Sequence, residues 1–343
     1  MKILIVGSTD IWAIENYFFK YLSMFENTQV DQFPTSSTNN NLSIIQKIER
    51  RIFPNKNTLY RIFNSRLLDH VEVFKPDVVL VFKGMEIFPK TLRRLKEKKI
   101  RLANFNGDHP FLIYSRGSGN HNVVNSVSLY DLHFTYILSI VKRLKEEFDV
   151  SAIHLPFGYE LDNELYTRIQ KESEILRIAF IGNPDNTRLN SIQRLLDANL
   201  PVDVYGNGWD VILSNAKGDL QIYGPVYGEK FWNIARKYRV QLNIFRPHNE
   251  GSHNMRTFEM PAVGAIMLAP DSEEHHIFFE ADQEVLFYSS LDEMIEKAQY
   301  LLDLSSEVAN QIRMQARERS LQTGYSYQDR ANLVYHSLKQ LLS

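Results

Sequence analysis

Short, unbroken apolar runs recur along the chain, and each ends in glycine or a small polar residue. The first is Lys2-Ile3-Leu4-Ile5-Val6-Gly7-Ser8. Val78–Phe82, Arg101–Phe105, Tyr130–Thr135 and Ala152–Leu155 follow it. Runs without polar alternation are the mark of strands buried on both faces, as in a parallel sheet. Between them, Ile14–Phe25 and Lys90–Lys99 carry helical spacing. Strand and helix in alternation predict a doubly wound α/β layer. The second half restarts the pattern with Arg177-Ile178-Ala179-Phe180-Ile181-Gly182-Asn183. That echo predicts two Rossmann-like domains facing one another across a cleft. The first spans residues 1–160, a charged linker 161–176, the second domain 177–325, and a closing helix 326–343.

Gln241 to Pro270 concentrates the candidate chemistry. Leu242–Phe245 reads as one strand and Ile266–Ala269 as the next. Gly251-Ser252-His253-Asn254 turns the chain and caps a helix over Met255–Val263, which Gly264 stops and Pro261 shortens. In a βαβ unit such a loop and helix N-terminus lie at the carboxyl end of the sheet, where phosphate and ribose bind. Arg256 and Glu259 are three apart and share a helix face. They are either a diphosphate and ribose pair or an ion pair on the helix surface. Gly206-Asn207-Gly208-Trp209 lets backbone approach a nucleotide, although G-x-G alone lacks the third glycine of a dinucleotide fingerprint. In the first half the loop 104–121 carries Asp108 and His109. Either can deprotonate an acceptor hydroxyl, or Asp108 only caps the turn.

Composition adds exclusions. Hydrophobic residues make up 44% of the 343 and charged residues 23%, an ordinary globular balance. A net charge of -2 argues against a dedicated nucleic-acid binder. The halves differ, with 22 Lys and Arg against 18 Asp and Glu over residues 1–170, and 17 against 23 afterwards. Much of the basic surplus lies in segment 47–66, where Lys47, Arg50, Arg51, Lys56, Arg61 and Arg66 surround Ile52, Phe53, Tyr60 and Phe63. Such a segment suits an anionic membrane surface or a charged acceptor, or simply forms amphipathic helices over the sheet edge. With no cysteine, no apolar run of membrane-spanning length and no signal-peptide pattern, a cytoplasmic protein is expected, at most peripheral to a membrane. Neither a P-loop nor H-E-x-x-H occurs, and Asp162-Asn163-Glu164 falls in the expected linker, so no cofactor or metal is expected.

The ordered pieces I-A-F-I-G-N with Arg188 after it, V-Y-G-N-G-W, Y-G-P-V-Y-G, L-N-I-F-R, N-M-R-T-F-E-M-P-A-V-G-A, E-V-L-F-Y-S-S-L-D-E-M and S-Y-Q-D-R-A-N span residues 177–335. With thinner matches N-G-D-H-P, Y-D-L-H-F-T-Y and L-P-F-G-Y before them, the chain resembles GT-B-fold glycosyltransferases. Within that fold it resembles the CgeB-like (spore-maturation-protein-like) group. The resemblance implies a nucleotide-sugar donor on the second domain, with UDP-sugar preferred. Gly182, Asn183, Gly206, Asn207, Gly208 and Trp209 would border the nucleotide, and Glu259 the ribose. Arg256 and Arg246, with Ser252, His253 and Asn254 of the Gly251–Asn254 loop, would stabilise the departing diphosphate, and Arg188 would stand among the donor-binding residues. A glycan, lipid-linked or protein acceptor would dock on the first domain, and the closing helix would cross back to it. No metal is implied, because basic side chains and a helix N-terminus neutralise the leaving group. The second glutamate of many retaining enzymes would fall at Gly251, with Glu250 one position off, so inversion is expected, with Asp108 or His109 as base. Two rival readings are a nucleotide-sugar epimerase and a non-catalytic nucleotide-sugar-binding protein.

Overall fold

The computed structural model describes residues 1–35, 49, 52, 53, 57–113, 117–246 and 251–343. The chain forms two compact units, Met1–Pro156 with Tyr327–Ser343, and Phe157–Ser326. The stretch 161–176 is folded into the second unit instead of linking the two. Asp162 accepts the amides of Glu164 and Leu165 and so starts a helix at Asn163–Ile169. Its carboxylate is a helix cap.

The first unit is a six-stranded parallel sheet in the order β2-β1-β3-β4-β5-β6. Its strands are β1 Lys2–Gly7, β2 Gln29–Pro34, β3 Val78–Phe82, β4 Arg101–Asn106, β5 Leu132–Thr135 and β6 Ser151–His154. The register sets Ile5 opposite both Gln32 and Leu80, which buries β1 between two neighbours. β2 has no apolar run to announce it, because as an edge strand it is only partly covered. The helix Tyr327–Leu342 packs on Ile14–Leu22 through stacked rings, with Tyr17 on Tyr327 at 4.8 Å and Phe25 on Tyr335 at 3.7 Å. The Tyr17–Tyr327 pair, within the preferred spacing, adds about 0.5–1.5 kcal/mol to plain burial.

The second unit is another six-stranded parallel sheet, in the order β12-β11-β10-β7-β8-β9. It comprises β7 Ile175–Ile181, β8 Val202–Tyr205, β9 Leu220–Tyr223, β10 Tyr238–Leu242, β11 Met267–Pro270 and β12 Leu286–Tyr288. The expected strand at Leu242–Phe245 is displaced. β10 ends at Leu242, and Ile244 and Phe245 are buried beyond it. Arg239 anchors β10 from below. It grips Glu174 with two nitrogens at 2.8 and 2.6 Å and donates to the carbonyls of Leu301 and Leu304. Chain order reverses between β1 and β3 in one sheet and between β7 and β10 in the other. At such a reversal the connections leave on opposite sides, which opens a crevice beyond the carboxyl ends of the strands.

Candidate functional site

In the second unit the crevice lies beyond β7 and β10. The loops after β7 and β8 meet backbone to backbone. A Cβ on Gly206 would stand 2.4 Å from the Gly182 carbonyl oxygen, so only glycine fits. The indole Nε1 of Trp209 donates to that same carbonyl at 2.7 Å, and Asn183 Oδ1 accepts the Asn207 amide at 2.9 Å. Trp209 is fully buried edge-on to Phe180. Its ring therefore pins Gly182 from inside and does not border a ligand, a correction to its expected place. Gly208 holds φ +94°, which starts the short helix Trp209–Ile212.

Three guanidiniums lie close enough here to feel one another. Arg188, in the first turn of helix Asn186–Asp197, reaches back to donate to the carbonyls of Asn183 at 2.9 Å and Ile244 at 3.5 Å. Its Nε is buried without a hydrogen-bond partner among the described residues. Burial pushes its guanidinium down to about 10; Asp185 opposes that shift, and the charges of Arg246 and Arg256 add to it. Arg256 lies over the Phe231 ring at 4.4 Å, pairs with Glu259, and points Nε at the carbonyl of Ile181, the last residue of β7, at 3.4 Å. The Arg256–Glu259 pair is thus made, but at the crevice. The Glu259 side chain is only 10% exposed and that of Arg256 30%. Arg246 stands exposed on the segment after β10. A hollow of about 360 Å³ opens beside Arg246, between Thr187, Ser191, Ile244, Phe245 and Tyr288. A mixed polar and apolar wall next to cations suits a planar ring attached to an anion.

The loop before helix Arg256–Ala262 departs from expectation. Ser252 and His253 are buried, and both donate to the Glu274 carboxylate, Ser252 Oγ at 2.8 Å and His253 Nδ1 at 2.5 Å. His253 Nε2 accepts the Phe157 amide at 3.3 Å. Neither side chain faces a diphosphate, because both their polar ends are turned into the unit. The Asn254 carboxamide is likewise engaged. Its Nδ2 donates to Asn243 Oδ1 at 2.7 Å, and its Oδ1 accepts the Thr257 amide at 3.3 Å and so caps the helix start. Sequence reasoning missed His275 behind this helix. Burial pushes His275 down to about 4, so the ring is neutral; Nδ1 donates to the Pro270 carbonyl and Nε2 accepts the Thr257 hydroxyl at 2.9 Å. Its adjacency to His276 concealed this, since nothing in the sequence shows which of two neighbouring histidines points inward.

In the first unit the crevice lies beyond β1 and β3. Lys83 and Gly84 take φ of +60° and +90°, a tight turn that aims the Lys83 ammonium at Asp108 and at the Gly117 carbonyl 2.6 Å away. The Asp108 amide rests on Asn106 Oδ1 at 3.0 Å, while Asn106 Nδ2 is buried without a partner among the described residues. His109 Nδ1 accepts the Phe111 amide at 3.2 Å, so that nitrogen is occupied within its own turn. A second carboxyl went unread in the sequence. Glu15 accepts the Ser8 amide at 3.0 Å beneath Gly7, and burial pushes it up against the pull of those amides and of Lys83. Its place in the first turn after β1 was the available signal. Glu250, and Lys47, Arg50, Arg51 and Lys56 of segment 47–66, lie outside the described residues.

Residues 188–335 match the family model described as glycosyl transferase-like. That stretch, less than half of the chain, is similar to the family. It contains Arg188, Arg246, Arg256 and Glu259 together. Whole-chain likeness to solved structures is wide and distant in sequence. Sucrose-phosphate synthase from Thermosynechococcus elongatus has a TM-score of 0.74 at 10% identity, covering 99% of both chains. A glycosyltransferase from Rickettsia africae has 0.68 at 12% identity, covering 100% of this chain and 98% of its own. UDP-GlcNAc 2-epimerase from Neisseria meningitidis, bound to UDP-GlcNAc, has 0.60 at 16% identity, covering 99% and 100%. No curated protein matches by sequence. At these identities the likeness shows the fold, which is the two-sheet GT-B architecture. Among the described residues no helix is long and apolar enough to cross a membrane.

Proposed function

We propose that the chain transfers a sugar from a nucleotide-sugar donor held by the second unit, without a metal, to an acceptor bound by the first. The observation that carries this reading is the cluster of Arg188, Arg246 and Arg256 beyond β7 and β10, inside the matched stretch. Three cations share one crevice, and burial and the charges of the other two push Arg188 down to about 10, where it still carries its charge at neutral pH. An anion placed there relieves that repulsion, and a departing nucleoside diphosphate gains most in the transition state, where its charge develops. Glu259, held by Arg256, is set to accept a ribose hydroxyl, and the hollow beside Arg246 to take the base. UDP is the preferred nucleotide, supported by the neighbour bound to UDP-GlcNAc. The finer likeness to the CgeB-like group belongs to this proposal as well.

On the acceptor side Asp108, paired with the Lys83 ammonium, is the proposed base. A direct displacement by the deprotonated hydroxyl gives inversion. The test is a panel of nucleotide sugars with purified protein in the presence of EDTA, followed by NMR of the product anomer. Release of nucleotide with a new glycosidic bond is expected. Conversion of the donor to its epimer without an acceptor would establish the rival enzyme reading, and binding without turnover would reduce the protein to a binding module.

A further inference from the structure

The first unit has a second hollow, larger and away from Asp108 in the sequence. It measures about 760 Å³ and is lined by Arg61, Phe88, Pro89, Lys90, Arg93, Asn122 and Asn125. Three of these carry charge and all three are positive. Lys90 and Arg93 are three apart in the first turns of helix Pro89–Glu97, and so share a face. Arg61 comes from the first turn of helix Thr58–Phe74. Among the described residues no carboxylate pairs with any of the three.

The hollow is built, not incidental. Asn64 is buried and fastens its two basic helices together. Its Nδ2 donates to the Glu86 carbonyl at 2.7 Å, and its Oδ1 accepts the Phe88 amide at 2.9 Å. The third wall is tied down the same way, because Asn120 and Asn122 both donate to the Met85 carbonyl at 2.9 Å. Lys90 hangs 5.5 Å over the Phe88 ring, which leaves a charged rim beside an apolar floor. Holding three like charges in one concavity costs repulsion and raises the local potential for an anion. A guanidinium pair with an ammonium matches phosphate oxygens in both geometry and charge.

We infer that this hollow binds the phosphate group of a phosphorylated acceptor, with the Phe88 and Pro89 floor taking the adjoining sugar or lipid carbon. That it is the acceptor rests on the glycosyltransferase reading; that it is a phosphate site does not. The test titrates the full-length protein with inorganic phosphate, glucose 6-phosphate, glucose and UDP by calorimetry, and measures flotation with vesicles of phosphatidic acid or of phosphatidylcholine alone. The same series is run on Lys90→Ala/Arg93→Ala, whose side chains are exposed and whose helix should persist by circular dichroism.

Phosphate or its ester is expected to bind, glucose at least tenfold more weakly, and the double variant to lose tenfold or more of phosphate affinity. UDP affinity should be unchanged in that variant, and phosphate binding should weaken as salt rises. Flotation only with phosphatidic acid, lost in the variant, would assign the phosphate to a lipid headgroup and still support the site. Equal phosphate and vesicle binding by variant and parent, or no phosphate binding by the parent, would overturn it. Loss of UDP binding by the parent with phosphate binding retained would instead sink the donor reading and leave this one standing.

Discussion

Arg256→Ala separates the donor role of the second crevice from a purely structural one. The side chain makes three contacts, to the Phe231 face at 4.4 Å, to the Glu259 carboxylate, and to the Ile181 carbonyl. A partly exposed cation over a ring is worth roughly 0.5–1 kcal/mol. Stranding a mostly buried carboxylate such as Glu259 costs about 1–3 kcal/mol, and the 30% exposure of Arg256 puts this site toward the low end. The variant should therefore lose about 2 kcal/mol of stability, a drop of roughly 4–8 °C in Tm for units of this size. Ligand binding should suffer more. A charge-assisted hydrogen bond to a diphosphate is worth about 1.5–3 kcal/mol, so UDP should bind roughly ten- to a hundredfold more weakly. Arg256→Lys keeps the charge but not the fork and should fall between the two. Calorimetric titration with UDP below the melting temperature reads affinity apart from folding. A variant that melts lower yet binds UDP with parental affinity would refute the diphosphate role and leave a structural ion pair.

Gly206→Ala forces its Cβ against the Gly182 carbonyl, which must retreat by roughly half an ångström or more in a close-packed turn. A loss of about 1–3 kcal/mol in denaturant unfolding is expected, with weakened nucleotide binding, and parental stability would contradict the geometry. Acid should destabilise the fold through His275 and His133, both pushed down to about 4 by burial. The unfolded chain takes up their protons near pH 6.5, so stability is full above that and is lost as pH falls toward 4, by up to about 3 kcal/mol for each. Glu174 adds to this lower down. Burial alone would raise it, but Arg239 and Arg313 outweigh burial and hold it low, so its contribution is present above about 4.5 and lost below. Melting temperatures of parent and His275→Gln between pH 7 and 4 check the sign, and equal slopes would remove His275 from the account. Asp108→Asn should cut kcat by roughly a hundredfold or more with UDP affinity intact. If Glu15→Gln does so and Asp108→Asn does not, the base is the other carboxyl.

Legibility followed covalent locality. β1, β3 and β7 were readable because a strand buried on both faces must be apolar at every position, and no distant partner is needed to see that. β2 escaped notice because one of its edges faces water, so its sequence obeys a weaker constraint. The arginine cluster was half legible. Sequence spacing placed Arg256 and Glu259 on one face, but which environment that face enters depends on β7 and Phe231, 75 and 25 positions earlier. His253 and Trp209 were misjudged for the same reason: polar atoms next to a glycine turn look outward in one dimension, and only packing turned them in to Glu274 and to the Gly182 carbonyl. The sequence by itself determined two parallel α/β sheets and the loops at their carboxyl ends, through periodicity and local turn chemistry. Only the tertiary structure decided which side chains in those loops meet a ligand and which satisfy one another, because burial and charge coupling are set by residues far apart along the chain.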